Sequence, residues 1–311
     1  MPKKSRPLNG HPRSVISYIG GKFQVIENIV PVISYAAEAY GLSTYYEACG
    51  GGARMLLNLP STIFERRIYN EVDLGLCKLF ACIGDQRYLY DLQTMVENWG
   101  CSEEAFDHAK QARNFERHMM AQGRNAFEMN MVEGAACAFA VAMMSRASDC
   151  VTFDHSRVEN KNRLRSYFNR VRELDLFYPT LAEVEVTHGD VFELLDTVQE
   201  HTDAFVYIDP PYVPEEMILS NHYGERSWTH RDHERLVNVL LGTHVKVALS
   251  GYDNRYYTNL EEAGWNKLFL KDVCVSSSGA SKRKNSEYLW INFEIPASLE
   301  EQISEIDYHA W

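Results

Sequence analysis

Several things are missing from this sequence, and each absence narrows the reading. No run approaches the roughly 18 apolar residues that span a bilayer, so no membrane-spanning helix is expected. The basic start, Met1-Pro2-Lys3-Lys4-Ser5-Arg6, is not followed by an apolar core, so no export signal is expected and the cytoplasm is the expected location. Seven cysteines are scattered and form no CxxC pair. An odd, dispersed set fits a reducing cytosol and counts against a disulfide framework or a structural zinc. Positive charge is scarce: 31 Lys and Arg stand against 43 Asp and Glu, a formal net charge of -12. That works against simple nucleic-acid binding, because phosphate contacts need Lys and Arg. A basic face can still coexist with an acidic remainder. Internal repeats and low-complexity linkers are also lacking.

What remains is an ordinary globular composition over 311 residues, 45% hydrophobic and 24% charged. It suffices for one large core or two modest ones. Ser14 to Lys22 reads as a looped lead-in and Phe23 to Tyr40 as an apolar helix. Thr44 to Cys49 reads as a strand running into three glycines, and Ala53 to Leu59 as a helix stopped by Pro60. Arg67 to Glu71 is a second strand, with a helix near Asp73 to Ile83. Asp91 to Met144 is helical in composition, and Arg157 to Arg172 is polar and basic. Alternation then returns: strand Glu183 to Thr187, helix Val191 to Gln199, strand Phe205 to Ile208, helix Arg231 to Leu241, strand Val245 to Leu249. Trp265 to Phe293 reads as a β-hairpin with its tip at Ser276 to Asn285. Strands alternating with helices predict an α/β fold with a mainly parallel sheet, interrupted by a helical insert.

The strongest chemical signal is Tyr207-Ile208-Asp209-Pro210-Pro211-Tyr212. A buried strand delivers an acid at its carboxyl end, where open α/β sheets place their ligands. Two prolines fix φ and remove two N–H donors, leaving neighbouring carbonyls free to accept. Carboxylate, carbonyl and flat ring together suit a planar group bearing an exocyclic NH2. A second signal is Tyr45-Tyr46-Glu47-Ala48-Cys49-Gly50-Gly51-Gly52-Ala53, a strand ending in glycines that let the backbone approach a ligand. It is neither a phosphate loop, since no Gly-Lys-Ser/Thr follows, nor a full GxGxxG fingerprint. Glu71, ending the next strand, is placed either to grip ribose hydroxyls or to cap a helix.

These blocks, in this order, resemble the Dam-like N6-adenine DNA methyltransferases, especially the phage-type members. Ile16-Ser17-Tyr18-Ile19-Gly20-Gly21-Lys22 resembles that family's N-terminal W-x-G-G-K block, with Tyr18 in place of Trp. Tyr46 to Ala53 resembles its E-P-F-G-G-G donor loop, with Ala48-Cys49 in place of Pro-Phe. Tyr69-Asn70-Glu71 resembles its I-N-D strand end, and Asp209 to Tyr212 is identical to its D-P-P-Y loop. Gly189-Asp190, Asp232-His233, Leu249-Ser250-Gly251-Tyr252, Lys282-Arg283 and Glu287 to Asn292 add to the likeness. The donor loop precedes the helical stretch and the catalytic loop follows it, which is the family's alpha order.

The resemblance implies a Rossmann-like S-adenosylmethionine-dependent sheet built from residues 1–85 and 179–311, with residues 86–178 as a helical target-recognition insert. It implies S-adenosylmethionine held by Tyr18, Gly20, Gly21, Lys22, Glu47, Ala48, Cys49, Gly50, Gly51, Gly52, Glu71, Asp190 and Asp209. Within that set, Glu47, Gly50, Gly51 and Glu71 would hold methionine and ribose. Asp190 would meet the adenine amino group, and Gly21 and Lys22 would close the pocket. Catalysis would fall to Asp209, Pro210, Pro211 and Tyr212, acting on an adenine flipped out of double-stranded DNA, by direct transfer and with no metal.

Rival chemistries separate partly. Cytosine C5 methylation needs a nucleophilic cysteine, usually after proline, and none of the seven follows one. Asp rather than Asn at position 209 favours adenine. N4-cytosine or RNA adenine methylation, and a non-catalytic nucleic-acid-binding relic, stay open at this point, as does the choice between monomer and homodimer. Arg157, Lys161, Arg163, Arg165, Arg170 and Arg172 fall within sixteen residues. Arg163 and Arg170, seven apart, would share a helix face suited to phosphate. Lys282-Arg283-Lys284 would form a second basic point at the hairpin tip, and either cluster could instead be a solvated surface. Asp154, His155 and His188 have no metal-ligand spacing, and His230 and His233 with Asp232 read as a helix start.

Overall fold

The computed structural model describes residues 14–18, 22, 24–123, 130–213, 228–274 and 284–306. Its strands are β1 (Thr44–Glu47), β2 (Arg66–Glu71), β3 (Val184–His188), β4 (Ala204–Ile208), β5 (Lys246–Tyr252), β6 (Asn266–Cys274) and β7 (Lys284–Ile291). The chain divides into two compact units, one containing Lys22–Asn70 and Gly189–Trp311, the other His11–Gly21 and Glu71–His188.

In the first unit the strands run in the order β2-β1-β4-β5-β7-β6. β1 is parallel to β2 and β4, and β4 is parallel to β5. β7 then runs antiparallel to both β5 and β6. This is the expected α/β sheet, mixed at one side because β6 and β7 form the predicted hairpin. All five residues of β4 are buried, as a central parallel strand covered on both faces requires. Val206, Ile208, Val247 and Leu249 meet Leu236, Leu240 and Trp290 in the core, each such side chain contributing roughly 1.5–3 kcal/mol by burial. The flanking helices are punctuated locally. Ile26–Tyr40 stops at Gly41, whose φ of 63° is the left-handed conformation that glycine adopts without steric cost. His230–Leu241 begins with a reciprocal capping box between Thr229 and Asp232.

The second unit is mainly helical: Leu74–Ile83, Gln86–Trp99, Glu103–Ala121, Met131–Met144 and Lys161–Arg172, with β3 and shorter turns. Met131–Met144 is buried on every side from Gly134 onward, which places it at the centre of this unit. Gly75 brings Leu74–Ile83 close against it, since a Cβ there would lie 3.4 Å from the Ala138 Cβ. Asp73 caps Leu74–Ile83 through Gly75 N and Leu76 N and pairs with the buried Arg113 guanidinium. Lys78 and Glu116, 2.6 Å apart, tie the same helix to Glu103–Ala121.

Two local expectations are corrected. Ala53 to Leu59 forms turns, not a helix. Ala53 has a φ of 52°, and the Leu56 N–H donates to the Glu47 carboxylate at 2.5 Å instead of to a helical carbonyl. Leu57 N and Leu59 N still donate to Ala53 O and Met55 O, so a side-chain acceptor interrupts the helical ladder at Leu56. Lys284 and Asn285, expected at the hairpin tip, lie in β7, paired with Cys274 and Val273. The rest of that tip lies outside the described residues.

Candidate active site

The site begins with strand register. β4 ends at Ile208, opposite Leu249 of β5, so Asp209 emerges beside Ser250. Ser250 Oγ donates to Asp209 Oδ1 at 3.1 Å and lies 3.0 Å from the Tyr207 hydroxyl. Across the antiparallel β5–β7 pair, Tyr252 faces Glu287. The Tyr252 ring stacks on Tyr212, with centroids 4.3 Å apart and planes 26° apart.

Lys22 joins these groups. Its Nζ lies 2.7 Å from Asp209 Oδ1 and 2.9 Å from Glu287 Oε1, and it donates to the Tyr212 hydroxyl. An ammonium carries three donors, and three acceptors are present. The Tyr212 hydroxyl sits 3.3 Å from both Glu287 oxygens, so it accepts from Lys22 and donates to the carboxylate. The side chains of Lys22 and Glu287 are 4% and 3% exposed, whereas Asp209 keeps 22%, the one charged member of the three open to an incoming group.

Electrostatics follow from that burial. Burial alone would push the Lys22 ammonium down, but Asp209 and Glu287 outweigh it and hold its pKa well above the usual lysine value. Burial pushes both carboxyls up, with Lys22 pulling each back. The hub is a lysine kept charged between two carboxylates that share its neutralisation.

Nearby, β1 delivers Glu47 into the glycine loop. Ala48 N–H donates to Tyr207 O at 2.9 Å and Gly50 N–H to Asn70 O at 2.8 Å. The Asn70 amide donates to Ala48 O and Gly189 O, tying together the chain segments after β1 and before Asp190. At Gly50 any side chain would strike the Tyr69 ring, 2.2 Å from an ideal Cβ, and Gly51 has a φ of 47°. Glu47 is buried, and that burial raises its pKa to about 8 against the Leu56 N–H, which pulls it down.

Asp209, Pro210, Pro211, Tyr212 and Lys22 are thus brought together, with Glu47 to Gly52 in the adjoining loop. Asp190 is exposed and caps Val191–Val198 by accepting from Phe192 N at 2.8 Å. In the other unit, Tyr18 is half-buried, and buried Glu71 accepts from Asp73 N at 2.9 Å. Arg163 donates to Asp154 Oδ2 at 3.1 Å and Ser156 Oγ at 2.6 Å, while Arg170 donates to Ser14 O at 2.8 Å. Lys161 and Arg165 on the same helix are exposed. Gly20, Gly21, Lys282 and Arg283 lie outside the described residues. Among the described residues, no group of three or more His, Cys, Asp or Glu could hold a metal ion, and no helix is long and apolar enough to cross a membrane.

Sequence reasoning assigns no role to Glu287, Ser250 or Tyr252. Their signal is present only as the blocks Leu249–Tyr252 and Glu287–Asn292.

The chain is 24% identical over 323 residues to the modification methylase StsI of Streptococcus sanguinis, an alignment covering 93% of this chain and 45% of that relative. The chain therefore spans less than half the length of this relative. A likeness to the precorrin-6y C5,15-methyltransferase of Geobacter metallireducens covers 92% of this chain and 100% of that one. At 11% identity and a TM-score of 0.33 it is too slight to argue from. A family model described as D12 class N6 adenine-specific DNA methyltransferase matches residues 18–268, most of the chain. The chain belongs to that family.

Proposed function

We propose that this chain transfers a methyl group from S-adenosylmethionine to N6 of adenine in double-stranded DNA. The observation that carries the reading is the carboxyl end of β4. There Asp209 is half-buried, Tyr212 is fixed beside it, and Lys22 and Glu287 surround both. N6 is out of reach inside a duplex, so the target base must leave the stack. Asp209 and the Pro210 carbonyl then accept the amino hydrogens, and the Tyr212 ring flanks the base. With the hydrogens held, the nitrogen lone pair would be free to take the donor's methyl as its C–S bond breaks to leave a neutral thioether, the surplus amino proton leaving by way of Asp209 to solvent. Orientation and charge stabilisation do the work, and no covalent enzyme intermediate forms.

The donor's sulfonium supplies an electrophilic methyl. A glycine-lined loop fits such a donor: Glu47 places a buried carboxyl at its start, ready to ionise beside an arriving cation, and the backbone from Ala48 to Gly52 passes without bulky side chains. Tyr18, Gly20, Gly21, Lys22, Cys49, Glu71, Asp190 and Asp209 complete the donor set of this reading. Glu71 holds the ribose, and Asp190, exposed at its helix start, takes the adenine amino group. DNA phosphates fall to Arg163, Arg170, Lys282, Arg283 and Lys284, and sequence readout to residues 86–178.

The test is incubation of the purified chain with mixed-sequence DNA and methyl-labelled donor, followed by nucleoside analysis. N6-methyladenine supports the reading. N4-methylcytosine, label in RNA alone, or no transfer overturns it.

A further inference from the structure

We propose that Glu287 is a positioning residue that makes Asp209 available to the incoming amino group by offering Lys22 and the Tyr212 hydroxyl a second, more deeply buried carboxylate. The inference rests on the reading above of Asp209 as the amino-group acceptor.

The geometry carries it. Asp209 Oδ1 already accepts from two donors, Lys22 at 2.7 Å and Ser250 at 3.1 Å. A substrate amino group, whichever oxygen it takes, meets a carboxylate whose charge is already shared with that ammonium. Glu287 is the second carboxylate on Lys22, at 2.9 Å, and it is the more deeply buried of the two. As the substrate engages Asp209, the ammonium can lean toward Glu287 without losing neutralisation, which a buried charge could not otherwise tolerate. Glu287 also receives the Tyr212 hydroxyl, so one carboxylate sets both the lysine and the ring. It is placed to do so by β7, whose antiparallel register sets it opposite Tyr252, itself stacked on Tyr212.

Removing the negative charge of Glu287 leaves Lys22 to Asp209 alone among these carboxylates. Two effects then lower the Asp209 pKa together: a repelling charge is gone and the attracting one is drawn closer. The groups facing this centre are Lys22 from the lead-in, Arg54 and Glu47 from the glycine loop, Tyr207 and Tyr212 on either side of Asp209, and Tyr252 from β5. None of them is removed by the substitution.

The experiment is single-turnover methyl transfer to adenine by wild type, Glu287→Gln, Glu287→Asp and Lys22→Met, and by the Lys22→Met/Glu287→Gln double variant, across pH. The expected result for Glu287→Gln is a loss of transfer rate of about tenfold or more, with donor affinity changed less than about threefold and the acid limb moved to lower pH. Glu287→Asp recovers part of the rate. In the Lys22→Met background the further loss on Glu287→Gln shrinks to the part that acts through Tyr212. An unmoved acid limb, or the same loss with and without Lys22, overturns the proposal in favour of a purely structural role. Unchanged transfer by Glu287→Gln overturns it outright. If wild type itself fails to methylate adenine, the reading of the reaction falls instead, and the two failures are distinguishable.

Discussion

The ammonium of Lys22 lies 2.7 Å from the carboxylate of Asp209, joining the lead-in segment to the loop after β4. This ion pair makes the loop after β4 part of a buried charge network rather than an isolated rigid turn.

Lys22→Met should destabilise the fold. It strands two carboxylates, and removing one partner of a buried ion pair costs about 3–5 kcal/mol. Both carboxyls already have raised pKa values, so they take up protons more readily as pH falls. The gap to wild type should therefore narrow on acidification. Denaturant unfolding at pH 7 and pH 5 reads this directly, and a gap independent of pH would show that the loss is one of packing.

Asp209→Ala should slow transfer at saturating donor by about a hundredfold or more, the usual scale for losing one transition-state partner. Tyr212→Ala should act earlier, costing about 1–3 kcal/mol of base stacking. A mismatch opposite the target lowers the cost of extrusion and should rescue Tyr212→Ala in part, but not Asp209→Ala. Single-turnover assays at saturating donor and DNA separate the two, and near-normal transfer by Asp209→Ala sinks the assignment of this loop.

Glu47 gives a pH dependence of stability. Its folded pKa is raised from 4.5 to about 8, so the protonated form favours the fold. That contribution is complete below the unfolded value near 4.5 and is lost as pH rises through about 8. Glu47→Gln should flatten the fall in unfolding free energy across this window. Chemical denaturation from pH 5 to 9 measures it, and parallel wild-type and variant curves would refute the shift.

Gly50→Ala should be poorly tolerated, because its Cβ would meet the Tyr69 ring at 2.2 Å. Overpacking of this kind costs about 1–3 kcal/mol, and the displaced loop should also bind the donor more weakly. Tyr69→Leu in the same chain should recover part of the melting temperature. Calorimetry that finds Gly50→Ala as stable as wild type would show the loop to be loosely packed.

Reversing Arg163 and Arg170 to Glu should weaken DNA binding across sequences and reduce the log–log salt slope by about 0.9 for each phosphate no longer neutralised. Both arginines also have partners within the chain, Asp154 and Ser156 for one and Ser14 for the other. A lower melting temperature with an unchanged salt slope would mean that they serve only those internal partners.

The strands, most helices and the loop Asp209–Tyr212 were legible in the sequence because their signals are local. Apolar runs, glycine and proline punctuation and cap residues act within a few positions, and the Thr229–Asp232 box is one such pair. Local propensity failed at Ala53 to Leu59, where Glu47 takes the Leu56 N–H and turns replace the expected helix. The sequence by itself therefore determined the α/β class and the acid, prolines and ring after β4. Only the tertiary structure decided that Glu287 and Tyr252 belong beside them. Their meeting depends on the register of β5 against β7, and that register brings together residues far apart in the chain, which no local periodicity encodes. The same holds for Lys22. Its sequence shows a lysine after two glycines, while its role as a buried counterion comes from the carboxylates that folding places around it.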